Sequence, residues 1–199
     1  DHPADQGARA LLLAAAAAAG LVAAGGVVRR TSSRFCLGVE HGDYNGTELF
    51  GVGTDRFIWL AGRANESGTV RLLSLNLPGE GLVAFTPGAT PPPRSPALVR
   101  RWARFPLGAD HILRRAGFPT GRGFDGVLWG DIPGGGMSRS ASLSLNLVLT
   151  FLAINGARPA DDFQVVELAR AIETDYIGSP CGLLDQVMIH FARAGMGTH

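Results

Sequence analysis

The stretch "PGGGMSRSASLSLNLVLTFLAING", residues 133–156, constrains the fold more than any other part of the chain. From Leu143 to Ile154 it is apolar almost all round, so as a helix it has no face to give to solvent and must be surrounded by other elements. Three glycines stand in front of that helix, where a backbone can bend sharply and approach a ligand closely. The preceding "FDGVLWGDIP", residues 124–133, has the pattern of a buried strand that stops at Pro133. Strand, glycine loop and central helix in that order call for a sheet with helices packed on it.

Other segments supply those elements. "ELFGVGTDRFIWLAGR" and "TVRLLSLNLPG" are β-like runs separated by the polar "ANESG", which predicts an antiparallel pair joined by a turn. "TPGATPPPRSP", residues 86–96, is a connector that cannot enter a helix or central strand. From Ala97 to Ala116, Leu98, Val99, Trp102, Leu107, Ile112 and Leu113 recur at loosely helical spacing, with Pro106 and Gly108 expected to interrupt the run. Asp161 or Asp162 caps a later helix that reaches Tyr176 and ends at Gly178 and Pro180. The expectation is an α+β fold, a mixed or antiparallel sheet packed with helices. At 199 residues and 46% hydrophobic the chain fits one large or two small domains.

Residues 1–30 stand apart as an Ala-rich N-terminal segment of uncertain role, with 31–199 as the main domain. Ala10 to Val28 carry no charge and have the length of a membrane span. Ala and Gly gain little in lipid, though, and neither a basic leader nor a clean cleavage pattern flanks the run, so a membrane anchor is not expected.

Composition removes several function classes. A formal net charge of +1 without a basic run of five or more gives no footprint for nucleic acid. All 18 basic residues are arginine, which excludes a Walker A lysine and Schiff-base chemistry. Cys36 and Cys181 lack the spacing of a zinc site or disulfide framework, and a reducing, cytoplasmic setting is expected.

Chemistry-bearing residues fall in three clusters. "SRFCLGVEHGDYNG", residues 33–46, gathers Glu40, His41 and Asp43, whose acceptors suit a polyhydroxylated ligand or make an ordinary polar turn. "PGGGMSRSAS", residues 133–142, offers helix N–H groups and the hydroxyls of Ser138 and Ser140 to a phosphate or metal; otherwise it is a glycine turn with serine caps. "AIETDYIGSPCGLLDQ", residues 171–186, sets Glu173 and Asp185 across a Gly/Pro turn, as a metal-holding and hydroxyl-orienting pair or as solvated surface carboxylates.

Taken in order, these three segments resemble the motifs of the GHMP kinase superfamily and, within it, the galactokinase-like sugar kinases. "SRFCLGVEHGDYN" is similar to G-R-x-N-L-I-G-E-H-x-D-Y-N, "PGGGMSRSAS" to P-x-G-x-G-L-S-S-S-A-S, and "ETDYIGSPCGLLDQ" to E-N-x-F/Y-V-G-x-P-C-G-I-M-D-Q. The resemblance implies a GHMP kinase N-terminal domain and ATP-dependent transfer of a phosphoryl group to the anomeric hydroxyl of galactose or a related sugar. It implies ATP and Mg²⁺, and a sugar as partner; a monomer is expected. Asp185 takes the place of the catalytic aspartate and Arg34 of the arginine beside it, a pairing that favours orienting the hydroxyl over early proton abstraction. Glu40, His41, Asp43 and Gly182 would hold the sugar. Gly134, Gly135, Gly136, Ser138 and Ser140 would wrap the ATP phosphates, and Ser140 with Glu173 would hold Mg²⁺. The alternatives are an L-arabinose or N-acetylgalactosamine kinase, and a non-catalytic sugar and ATP sensor, which Arg139 in place of the middle serine favours. The family's third Gly-rich motif and second domain have no counterpart in residues 187–199, and the first residue is not Met, so a fragment is expected.

Overall fold

A computed structural model describes residues 3–38 and 42–199. Glu40 and His41, assigned to the sugar, lie outside the described residues.

Helix α1 (Pro3–Ala18) leads into strands β1 (Val27–Gly38) and β2 (Phe50–Ala64), then β3 (Val70–Ser74) and β4 (Leu82–Phe85). The proline-rich connector follows, then α2 (Arg104–Arg115), β5 (Phe124–Gly130), α3 (Arg139–Asn155) and α4 (Asp162–Ala171). A π-helical turn (Ile172–Ile177), α5 (Leu184–His190) and the two-residue β6 (Gly197–Thr198) complete the chain. The sheet order is β1-β2-β5-β3-β4, with β6 on β2. Every pairing is antiparallel except β3 with β5. The fold is therefore α+β with a mixed sheet, as the sequence predicts.

One pairing differs from that expectation. β2 and β3 do not form a hairpin, because β5 lies between them. The intervening polar turn serves the buried Asp125 of β5 instead: the Asn65 side chain donates to Asp125 Oδ1 at 2.7 Å and to the Thr69 carbonyl at 2.9 Å. Arg71 donates to the same carboxylate at 2.8 and 2.5 Å, and the Val22 N–H at 2.9 Å. Three chain segments are tied to one acid.

Both faces of the sheet are covered. Leu60, Leu72 and Leu128 face α2, α3 and α4, in a core with Phe151, Leu145 and Tyr176. Trp59, Ala61 and Val127 face the other way, onto Ala8, Leu12 and Ala16 of α1. The alternation follows from the period of two along a strand. The Ala-rich segment is thus a layer of the fold, and full burial of Leu12 contributes about 2–3 kcal/mol. Its small side chains let α1 lie close on the sheet, while Trp59 Nε1 and Arg30 both donate to Asp5, at 2.9 and 2.8 Å. The helix ends at Ala18, and the remaining residues to Arg30 form a turn and the start of β1. Among the described residues no helix is long and apolar enough to cross a membrane.

Helix α2 contains both Pro106 and Gly108, which were expected to break it. Pro106 sits in the first turn, where an N–H has no intrahelical acceptor to lose. Gly108 marks close packing: a Cβ there would stand 2.9 Å from Tyr176 Cδ1 and 3.0 Å from Ile172 Cγ2. Helix α3 starts after the glycine loop and is buried along most of its length, and Asp161 caps α4 by accepting from the Gln164 N–H at 2.8 Å.

Candidate active site

Strand β1 brings Arg34 to the helix side of the sheet. Thr31 already faces that side, where its hydroxyl donates to the Ser142 carbonyl at 2.9 Å and Asn146 pins α3 to the Ile58 carbonyl at 3.0 Å. Residues three apart on an unbroken strand point to opposite faces. The β1–β2 register shifts between Ser32 and Arg34, and this irregularity lets Arg34 turn inward as well.

Arg34 joins two of the predicted clusters. Its Nε donates to Asp185 Oδ1 at 2.8 Å, Nη2 stands 2.6 Å from the same oxygen, and Nη1 donates to the Gly136 carbonyl at 3.2 Å. The arginine is 6% exposed, so the pair is held largely out of solvent on that side. Asp185 lies in the first turn of α5, where a carboxylate is favoured by the helix dipole.

Asp43 reaches the same helix from the first cluster. Its Oδ2 accepts the Leu184 N–H at 3.0 Å, and a side chain at Gly182 would collide with its carboxylate. The structure thus brings Asp43, Gly182 and Asp185 together on one side of Arg34, with the glycine loop on the other.

The loop residues line a cleft of about 610 Å³ that also contains Arg34, Asp185 and Ser140. Gly135 and Gly136 take φ of 84° and 77°, values open to glycine without strain. Ser138 takes a left-handed conformation, too, with φ 55°. It stands at the N-cap of α3 but makes no capping bond, and its hydroxyl oxygen is buried without a hydrogen-bond partner among the described residues. Arg139 is exposed at the start of α3 and also lines the cleft.

Glu173 sits on the π turn, a wide-turn geometry that often marks functional sites. It is buried, accepts from Gln186 Nε2 at 2.9 Å, and has the Ser140 side chain near enough to act on its carboxyl. Burial pushes its carboxyl up to about 6, with the Asp185 charge adding to the rise while Ser140, Gln186 and Arg104 oppose it. The two residues assigned to a metal are therefore adjacent, and the buried carboxylate is short of positive charge. Among the described residues no group of three or more His, Cys, Asp or Glu side chains is assembled for a metal. A Ser and one carboxylate suit Mg²⁺, which takes few protein ligands and completes its shell with substrate phosphates and water.

Cys181 plays no part as a thiolate: burial, with the Glu173 charge, pushes it up to about 11. Sequence reasoning missed Gln186 and Arg104. Gln186 closes the third motif, but nothing in the sequence says that its amide turns back onto Glu173. Arg104 lies outside every motif, in a run of basic residues that looks like solvated surface.

Comparison with known proteins agrees with this geometry. Residues 100–193 match the GHMP kinases N terminal domain. The chain is 32% identical over 165 residues to a galactokinase of Exiguobacterium sibiricum, covering 82% of this chain and 41% of that protein. It is 31% identical over 159 residues to a galactokinase of Bacillus subtilis, covering 79% and 38%. A crystal structure of Lactococcus lactis galactokinase complexed with galactose superposes with a TM-score of 0.82 at 29% identity, over 95% of this chain and 47% of that one. Methanococcus jannaschii mevalonate kinase shares the fold, with a TM-score of 0.68 at 17% identity. The chain spans about two fifths of the length of the curated relatives it matches, 41% in the first case.

A sheet carrying a glycine loop at the head of a buried helix, together with these matches, makes this a GHMP kinase N-terminal domain. Within that class the chain is galactokinase-like.

Proposed function

We propose that this chain forms the N-terminal domain of a sugar kinase that transfers a phosphoryl group from ATP to the anomeric hydroxyl of galactose or a related hexose. The observation that carries the reading is Arg34, which holds Asp185 with one edge of its guanidinium and the Gly136 carbonyl with the other. A single rigid cation between a carboxylate and a phosphate-type loop fixes an acceptor hydroxyl against a donor phosphate, and phosphoryl transfer depends on that positioning and on charge stabilisation.

In this reading the Asp185 carboxylate accepts a hydrogen bond from the sugar hydroxyl and orients its oxygen toward the phosphate. Asp43 and Gly182 border the sugar, with Glu40 and His41 as further hydroxyl ligands. The loop N–H groups of Gly134, Gly135 and Gly136 and the hydroxyl of Ser138 take phosphate oxygens. Ser140 and Glu173 would hold Mg²⁺, which when bound neutralises charge on the phosphates. The expected setting is the cytoplasm and the expected state a monomer.

A coupled ADP-release assay on the full-length protein, run with galactose, L-arabinose and N-acetylgalactosamine, tests the activity. Galactose-dependent ADP release is expected; ATP binding without turnover on any sugar would place the protein among sensors instead.

Glu173 gives a pH dependence with a definite sign. Its carboxyl is raised to about 6, so below that value it takes a proton and loses its affinity for a cation. Half-saturation by Mg²⁺ is expected to shift to higher concentration as pH falls from about 7 to 5, by roughly tenfold per unit once below the midpoint. Glu173→Gln is expected to flatten that profile. An unchanged pH profile in this variant would remove Glu173 from the metal.

A further inference from the structure

Arg104 opens α2 and lines the same cleft as Gly136, Ser138 and Ser140. It is half-buried, and its Nε is shut off from solvent with no hydrogen-bond acceptor among the described residues. Of the other arginines of the cleft wall, Arg100 and Arg139 are exposed. Arg34 is committed to Asp185 and the Gly136 carbonyl, and Arg101 stands 3.9 Å from Glu80. Arg104 instead rests against the Phe105 ring, its guanidinium carbon 5.4 Å from the centroid, a contact that fixes the group without supplying an anion.

The Arg104 charge opposes the rise of the Glu173 carboxyl, yet among the described residues it makes no ion pair with Glu173. A guanidinium that lines a glycine-loop cleft, carries a desolvated N–H and has no carboxylate bonded to it among the described residues has the surroundings of a phosphate ligand. The chain contains no lysine to fill that role.

We propose that Arg104 binds the polyphosphate of the nucleotide directly, as a second guanidinium beside Arg34, and so makes the cleft discriminate nucleoside triphosphates from nucleosides. The inference rests on the nucleotide reading of the cleft given above. A planar fork of donors suits phosphate oxygens, and the half-buried guanidinium on the cleft wall can offer them.

Equilibrium binding of ATP and of adenosine to the full chain, with Mg²⁺ and again with EDTA, tests it. In Arg104→Gln the affinity for ATP is expected to fall roughly 10- to 100-fold while that for adenosine stays as in the parent. Arg104→Lys is expected to recover part of the loss, since it keeps the charge but not the fork. The loss is also expected to persist in a Glu173→Gln background. Parent-like ATP binding in Arg104→Gln would overturn the proposal, as would equal weakening of ATP and adenosine. Disappearance of the loss in the Glu173→Gln background would overturn it too, because Arg104 would then act only through the carboxylate. A parent chain that binds neither ligand defeats the nucleotide reading itself, an outcome separate from the others.

Discussion

Replacing Asp185 by Asn is expected to lower kcat by on the order of a thousandfold while leaving ATP affinity within about twofold of the parent. The substitution keeps the shape of the side chain and the Oδ1 acceptor that Arg34 Nε reaches at 2.8 Å. What it removes is the negative charge. The neutral amide accepts a hydroxyl proton weakly, so the sugar oxygen is neither oriented nor enriched in charge as it approaches the phosphate. It also leaves Arg34, 6% exposed, without its counter-ion. ATP is expected to be held by loop residues that Asp185 does not bond, which is why binding is spared. Steady-state kinetics together with direct nucleotide binding separate the two effects. Near-parent turnover in this variant would take Asp185 out of the chemistry.

Removing the Arg71 side chain is expected to have the largest effect on stability. Asp125 is fully buried, and Arg71 is its charged partner, with Asn65 and the Val22 N–H completing the set. Arg71→Met strands a carboxylate between β5, the turn after β2 and the segment after α1. Breaking a buried pair on one side costs about 3–5 kcal/mol. The Arg71 side chain is 35% exposed, so the lower end, about 3 kcal/mol, is expected.

The same pair predicts how the loss depends on pH. Burial pushes the Asp125 carboxyl up, but Arg71, the Val22 N–H and Asn65 outweigh it and hold the group below the usual carboxylate range. A depressed carboxylate contributes stability that is present above its unfolded value, near 3.8, and lost as pH falls through the lower folded one. Urea unfolding of parent and variant at pH 7 and at pH 3 therefore should show a difference that is large at the first pH and smaller at the second. A difference below about 0.5 kcal/mol at pH 7 would mean that the ion pair does not hold these segments together.

Much of the architecture was legible because it follows from local chemistry. The all-round apolarity of Leu143 to Ile154 required a central helix, and the glycines before it required a sharp entry; both are present in α3 and its loop. Asp161 as a cap needed only the residue type and the apolar run behind it. The β2–β3 hairpin failed because a polar turn between two strands is also what a buried acid on a third strand needs for partners. Nothing within residues 65–69 shows that Asp125 lies across from them. The break expected at Pro106 did not occur because its cost depends on position within the helix, and Arg104 as first residue was not readable from a loose pattern.

The site divides along the same line. Arg34, Asp43, Gly182 and Asp185 were legible as motif residues, and the structure brings them together. Glu173 and Ser140 were legible as types, and their contact follows from the π turn that no pattern announced. Gln186 and Arg104 carry no local signature. Their place at the site, Gln186 bonded to Glu173 and Arg104 on the cleft wall, exists only after the chain has folded.

The central claim is that Arg34 and Asp185 hold a sugar hydroxyl against the phosphate of a nucleotide seated in the glycine loop. Phosphorus NMR of the full-length protein incubated with ATP, Mg²⁺ and galactose tests it directly. The account predicts a resonance of a phosphate on the anomeric carbon, growing as ADP appears with the parent and absent with Asp185→Asn. Nucleotide binding with no sugar phosphate, or a phosphate on another hydroxyl, would contradict it.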